Sequence, residues 1–241
     1  MFKTIIWYLD FAISLCCQTP HLFKLKKLET QGKISEKEAL AHEITTKWAL
    51  KRLNHSGATV IIHGKENIPT DQNVVFMSNH QSNFDIALFM SYIDVPKGFV
   101  SKIEMARVPL LKDWMESIHC VFMDRSTLKG AASAIVEGIK LIKSGYSLVI
   151  FPEGTRSKGD QMAEFKAGSF KLATKPKVPI VPVTINGSYK LLEGNGNRIK
   201  SGTVEVYIHP AIETVTLSKD ELNQLPTRVQ SIIGSKLPHQ D

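Results

Sequence analysis

The chain of 241 residues is long enough to bury the core of one generous domain and carry an appendage, and its 43% hydrophobic and 22% charged residues exclude a disordered polypeptide. A formal net charge of +7 favours anionic partners; with no nucleic-acid-reading motif present, these are phosphates or acidic lipid headgroups rather than nucleic acid. Three cysteines, two of them adjacent, make no disulfide framework and point to a reducing compartment.

The first seventeen residues, MFKTIIWYLDFAISLCC, come close to the lower limit for a bilayer span. Asp10 sits near their middle, where an acidic residue costs roughly 2.5–3.5 kcal/mol on insertion scales. At helical spacing Phe2, Ile6, Leu9, Ile13 and Cys16 share one face and Lys3, Asp10 and Ser14 the other, an amphipathic pattern. Asp10, and the lack of a small-x-small site before Pro20, also speak against a secretory leader. The following HLFKLKKL interleaves Lys24, Lys26 and Lys27 with apolar residues, which suits a lipid interface where stems are buried and ammonium groups stay wet. Ser35 to Glu38 reads as a capping box opening a second helix, with Leu40, Ala41, Ile44 and Trp48 on one face. Residues 1–55 carry nine Lys or Arg against five Asp or Glu, so docking on an anionic membrane surface is the favoured reading. A hairpin packed on the main domain and a true span are the alternatives. Gly57 closes the unit, giving a helical docking motif at 1–56 and a domain at 57–241.

From residue 58 the pattern becomes short β-branched runs at 59–63, 73–77, 98–101, 120–123, 147–151, 180–185 and 203–208. Helix-length segments lie between several of them, at about 84–92, about 106–117, and 129–143 closed by Gly145; a capping box at Ser218–Glu221 precedes a short C-terminal helix. The alternation predicts an α/β domain around a mostly parallel or mixed sheet flanked by helices, preceded by the N-terminal amphipathic two-helix motif.

In open α/β sheets ligands collect at the carboxyl ends of the strands. Polar residues follow four of the runs there: His80 and Asp85, Lys102, Asp124 and Arg125, and the turn FPEGTRS at 151–157. Parallel strands would gather His80, Asp85, Lys102, Arg125, Glu153 and Arg156 on one edge. His80 and Asp85 then read as a base whose second ring nitrogen is held by a carboxylate, or equally as capping and solvated groups, since five-residue spacing needs a turn between them. In FPEGTRS, Pro152 ends the strand, Gly154 frees the backbone to aim N–H groups at an anion, and Arg156 offers a planar fork for phosphate. Glu153 either positions substrate or anchors an arginine. Lys102 and Arg125 are solvated cations taken singly and an anion site taken with Arg156.

Rival chemistries find no support. The G-x-S-x-G elbow is missing, Gly154 and Gly159 have P-loop spacing but Asp160 stands where lysine is needed, and no Cys/His set has zinc spacing. His119 and Cys120 are adjacent, so on a strand they face opposite ways and make no thiol nucleophile with its base.

The blocks NHQSNFD (79–85), CVFMDR (120–125), FPEGTRS (151–157) and VPIVPV (178–183) together resemble, in order and spacing, those of the glycerolipid acyltransferases, in particular the bacterial 1-acylglycerol-3-phosphate (lysophosphatidate) acyltransferases. The likeness covers about residues 60–215. It implies acyl transfer from acyl-CoA or acyl-carrier protein to the 2-hydroxyl of lysophosphatidate, with His80 as general base oriented by Asp85. By the same likeness Arg125, Glu153, Gly154, Thr155 and Arg156 form the acceptor site; Lys102 joins them from the strand-end argument. Glycerol 3-phosphate or another lysolipid is the alternative acceptor, and a non-catalytic lipid-phosphate binding module the alternative of another class. No metal or prosthetic group is implied, acyl-carrier protein becomes a candidate partner, and the cytoplasmic face of the inner membrane becomes the expected location. One departure stands out: the family usually has glycine where this chain has His119, which bears on the local backbone and on the pocket.

Overall fold

The computed structural model describes residues 2–238; Met1 and residues 239–241, the outer ends of the two expected segments, lie outside the described residues. Three helices lead: α1 (Phe2–Cys17), α2 (Thr19–Thr30) and α3 (Ile34–Ser56). The first of the two expected helices is thus divided at Gln18, where Pro20 enters the first turn of α2 and offers no N–H to continue α1. The capping box expected at Ser35–Glu38 does not form. The helix begins at Ile34, so Ser35 lies inside its first turn; the cap is Lys33, with no side-chain bond, and Glu38 meets the Tyr146 hydroxyl and lies 3.4 Å from His119. Gly57 ends α3 at φ +80°, a left-handed conformation that favours glycine. Among the described residues no helix is long and apolar enough to cross a membrane.

Seven strands follow: β1 (Ala58–His63), β2 (Val75–Ser78), β3 (Lys97–Lys102), β4 (Val121–Met123), β5 (Ser147–Ile150), β6 (Ile180–Asn186) and β7 (Gly202–Ile208). They form one mixed sheet in the order β1-β7-β6-β2-β5-β3-β4, in which only the β6–β7 pair is antiparallel. Helices α4 (Phe84–Tyr92), α5 (Leu111–Ser117), α6 (Leu128–Lys143), α7 (Lys171–Thr174) and α8 (Lys219–Gly234) are the other α-helices among the described residues. The expected capping box at Ser218 and Glu221 is present at the start of α8. The helix expected at 106–117 is broken instead into a 3-10 turn, Ile103–Arg107, and α5. Pro109 excludes its predecessor from the helical region, and Val108 is accordingly extended.

Successive strand residues face opposite sides, so the sheet has two cores. Val74, Phe76, Val149, Val181 and Val183 join Leu53 of α3 and Phe84, Leu88 and Phe89 of α4 on one side. Val75, Met77, Leu148, Ile150 and Ile180 join Ala134 and Ile142 of α6, Leu172 of α7 and Leu225, Val229 and Ile233 of α8 on the other. With both faces covered, β2 is buried throughout, which accounts for its continuous apolar run.

Lys97, at the start of β3 and so at the opposite edge from the carboxyl ends, is buried, and its Nζ donates to the carbonyls of Ile93 (2.6 Å) and Val95 (2.9 Å). Burial pushes its pKa down to about 7, against a weaker opposing pull from Asp94. The folded value lies below the ordinary 10.5, so the cost of the charge is fully present below about pH 7 and is relieved as the pH rises toward the unfolded value. Urea titrations from pH 7 to 10 are therefore expected to show stability rising more in the wild type than in Lys97→Met; parallel pH profiles would refute this.

Candidate active site

Strands β2, β5, β3 and β4 are adjacent and mutually parallel, so their carboxyl ends share one edge. At the end of β2 the chain turns through Gln81, Ser82 and Asn83 into α4, and this turn closes the five-residue gap: His80 Nδ1 lies 2.7 Å from Asp85 Oδ2. A carboxylate has no proton to give, so Nδ1–H donates and Nε2 of the neutral ring is left as the proton acceptor. Asp85 is fully buried; its Oδ2 also accepts from the backbone N–H of Gln81 (2.7 Å) and Ser82 (2.9 Å), and Oδ1 accepts from the Ser188 hydroxyl. The imidazole stacks on Phe151, ring centroids 4.1 Å apart, which fixes its plane at the mouth of β5.

Asn79 ties the turn to the neighbouring strand, donating from Nδ2 to the Ile185 carbonyl (2.8 Å) and accepting the Ile185 N–H (2.8 Å). Gln81 Oε1 accepts the Gly187 N–H (2.9 Å) in the same way. Polar side chains in this turn therefore hold the end of β6 against the end of β2.

The FPEGTRS turn follows β5 directly. Glu153 neither anchors an arginine nor faces outward: it is buried, and its two oxygens accept the backbone N–H groups of His80 (2.6 Å) and Ala163 (2.7 Å). Burial pushes its carboxyl above the usual range, while the two N–H donors act the other way. Glu153 is thus a brace for the backbone of His80. Gly154 has φ +72°, which favours glycine, and Lys166 Nζ lies 2.8 Å from where a Cβ would stand, a further cation over the turn. Arg125, at the end of β4, donates from Nη1 to the Gly154 carbonyl. Thr155 is exposed. Arg156 donates from Nη1 to Glu193 Oε1 at 2.7 Å. Lys102 is exposed at the end of β3, in register with Met123 of β4 and hence one strand from Asp124 and Arg125.

A histidine base held by a buried carboxylate, with cations from three neighbouring strand ends on one edge, can deprotonate a hydroxyl on a phosphorylated molecule. A model of the family described as Acyltransferase matches residues 59–186, more than half of the chain. The chain belongs to the acyltransferase family. It is 32% identical over 182 residues to the 1-acyl-sn-glycerol-3-phosphate acyltransferase of Borreliella burgdorferi, covering 76% of this chain and 73% of that one. It is 30% identical over 178 residues to the enzyme of that name from Escherichia coli, covering 72% of each. The crystal structure of the 1-acyl-sn-glycerophosphate (LPA) acyltransferase PlsC from Thermotoga maritima superimposes with a TM-score of 0.84 at 26% identity, covering 97% of this chain and 92% of that chain.

Within this acyltransferase, His119 takes a left-handed backbone conformation. Its φ is +60°, a conformation that favours glycine, and its imidazole packs on Tyr146 with centroids 4.0 Å apart. It precedes β4, at the edge away from the carboxyl ends, and lies 3.4 Å from Glu38 of α3. Cys120 is buried in the core and burial pushes its thiol up to about 12, which removes it as a nucleophile.

Three contributors stand outside the motifs: Ser188, Glu193 and Lys166. Ser188 was within reach of the strand-end argument, because it follows β6 just as Asn79 follows β2. Glu193 and Lys166 lie farther along the loops that follow β6 and β5, where no motif or spacing marks them.

Proposed function

We propose that this acyltransferase moves a fatty acyl group from a thioester donor to the 2-hydroxyl of a 1-acyl-sn-glycerol 3-phosphate. The observation that carries the reading is the His80–Asp85 pair, with Nδ1 held by the carboxylate, at the edge that also bears Lys102, Arg125 and Arg156. Nε2 takes the hydroxyl proton as the oxygen bonds to the thioester carbonyl carbon. The tetrahedral intermediate then collapses, the C–S bond breaks, and the departing thiolate of CoA or acyl-carrier protein receives the proton from the imidazolium. Asp85 offsets the positive charge of that imidazolium, and the arginines and Lys102 hold the acceptor phosphate. The decisive experiment offers the purified protein 1-acylglycerol 3-phosphate, glycerol 3-phosphate and other lysolipids against acyl-CoA and acyl-carrier protein. Fastest transfer to 1-acylglycerol 3-phosphate is expected. A faster reaction of glycerol 3-phosphate would move the assignment to that acceptor, and binding without transfer would make the protein a lipid-phosphate binding module.

The same reading places the enzyme on an anionic membrane surface, at the cytoplasmic face of the inner membrane. Support comes from α1, whose amphipathic pattern is turned inside out. Its polar stripe faces the protein: Lys3 donates to the Ser56 carbonyl, Asp10 pairs with buried Arg52, and Ser14 accepts from Trp48. Its apolar stripe, Phe2, Ile5, Ile6, Leu9 and Ile13, is exposed, as is Phe23 of α2, with Lys24, Lys26 and Lys27 beside it. Full burial of a large aliphatic side chain contributes roughly 1.5–3 kcal/mol, so replacing Ile6, Leu9 and Ile13 together with serine is expected to weaken binding to phosphatidylglycerol vesicles by at least about 10-fold. Unchanged vesicle binding in a sedimentation assay would refute the surface.

A further inference from the structure

Glu193 lies in a 3-10 turn, Glu193–Asn195, between β6 and β7, and belongs to none of the sequence blocks that mark the site. Its carboxylate is 2% exposed, and its partners come from two sides. Oε1 accepts from Arg156 Nη1 (2.7 Å) and from the backbone N–H of Asn83 (3.0 Å), while Oε2 accepts from the Ser82 hydroxyl (2.6 Å). One buried acid therefore joins the turn that carries the phosphate-site arginine to the turn that carries His80 and Asp85.

A guanidinium has five N–H donors in a planar fork, and the bond to Glu193 uses one of the nitrogens. Arg156 retains 31% of its side-chain exposure, so its remaining donors face the open edge. A buried carboxylate with no cation would be costly, which keeps Arg156 in place before any ligand arrives. Holding the fork in advance removes the ordering cost from the binding step, and fixing it to the His80 turn sets the spacing between the bound phosphate and the base.

We propose that Glu193 is a positioning residue that presents Arg156 to the acceptor phosphate and registers that phosphate against His80. The proposal rests on the acceptor site assigned above, and it is tested by binding as well as by turnover so that the two can fail separately. Glycerol 3-phosphate, the headgroup alone, is titrated into the full-length wild type, Glu193→Gln, Glu193→Ala, Arg156→Ala and the double variant; acyl transfer to 1-acylglycerol 3-phosphate is measured on the same set.

Glu193→Ala is expected to weaken headgroup binding and raise the acceptor KM by about 10-fold or more, the scale of one charge-assisted hydrogen bond, with the donor KM unchanged. Glu193→Gln keeps an oxygen for Arg156 and Asn83 and is expected to stay within about 3-fold of wild type in both measurements. In the Arg156→Ala background, Glu193→Ala should add less than about 2-fold, because the arginine through which it acts is gone. If Glu193→Ala does not fold, Glu193→Asp, which withdraws the carboxylate by one methylene, carries the same expectation. Acceptor and donor KM rising together, losses that multiply in the double variant, or a wild type that does not bind glycerol 3-phosphate would each overturn the proposal. A wild type that binds the headgroup but transfers no acyl group would overturn the assigned reaction while leaving the role of Glu193 to be decided by the binding series.

Discussion

His80→Ala is expected to lower kcat by roughly 10²–10⁴-fold, the usual contribution of a positioned base, while the protein stays folded and its acceptor KM changes little. The imidazole makes one side-chain hydrogen bond, to Asp85, and one stacking contact, with Phe151. After its removal Asp85 still accepts from two backbone N–H groups and Ser188, so no buried charge is stranded. The brace from Glu153 reaches the backbone N–H of residue 80, which alanine keeps. Loss of catalysis without loss of structure separates a chemical role from a structural one. Steady-state kinetics with a thermal melt on the same sample is the check, and near-normal turnover would remove His80 as the base.

The strands were readable as β-branched runs, and their alternation with helices gave the α/β class, because a sheet covered on both faces writes itself as short continuous apolar segments. The site was readable as far as one rule reached. Four parallel strands put His80, Lys102, Arg125 and the FPEGTRS turn on one edge whichever order those strands take, so the convergence did not need the topology. Glu193 did need it: it meets Ser82 across 111 positions, and no spacing rule spans that distance. The two capping boxes make the same point. Ser218 stands at the cap position of α8 and the box forms with Glu221, whereas α3 starts at Ile34, one residue before Ser35, and Glu38 meets Tyr146 across 108 positions. The local pattern marks a box correctly only where its first residue caps the helix. Helix α1 shows a related limit, since periodicity revealed two faces and left open which one the protein would cover.

Asp85 should separate the support of the base from the support of the fold. In Asp85→Asn the side-chain oxygen can keep His80, Gln81 and Ser82, and the amide can donate to Ser188, so the turn is expected to persist. What disappears is the negative charge that stabilises the imidazolium, and kcat is expected to fall by roughly 10²–10⁴-fold, as for loss of the carboxylate in other histidine-based sites. Asp85→Ala is harsher. It leaves two backbone N–H groups and a hydroxyl without their buried acceptor, at about 1–3 kcal/mol each, against a total stability of about 5–15 kcal/mol for a typical domain. Denaturant titration should therefore rank alanine well below asparagine in stability, while the assay finds both nearly inactive. Equal stability of the two variants would mean that the hydrogen bonds to Asp85 contribute little to the turn. Wild-type kcat in Asp85→Asn would make the carboxylate a brace alone, with Phe151 and the backbone left to orient His80.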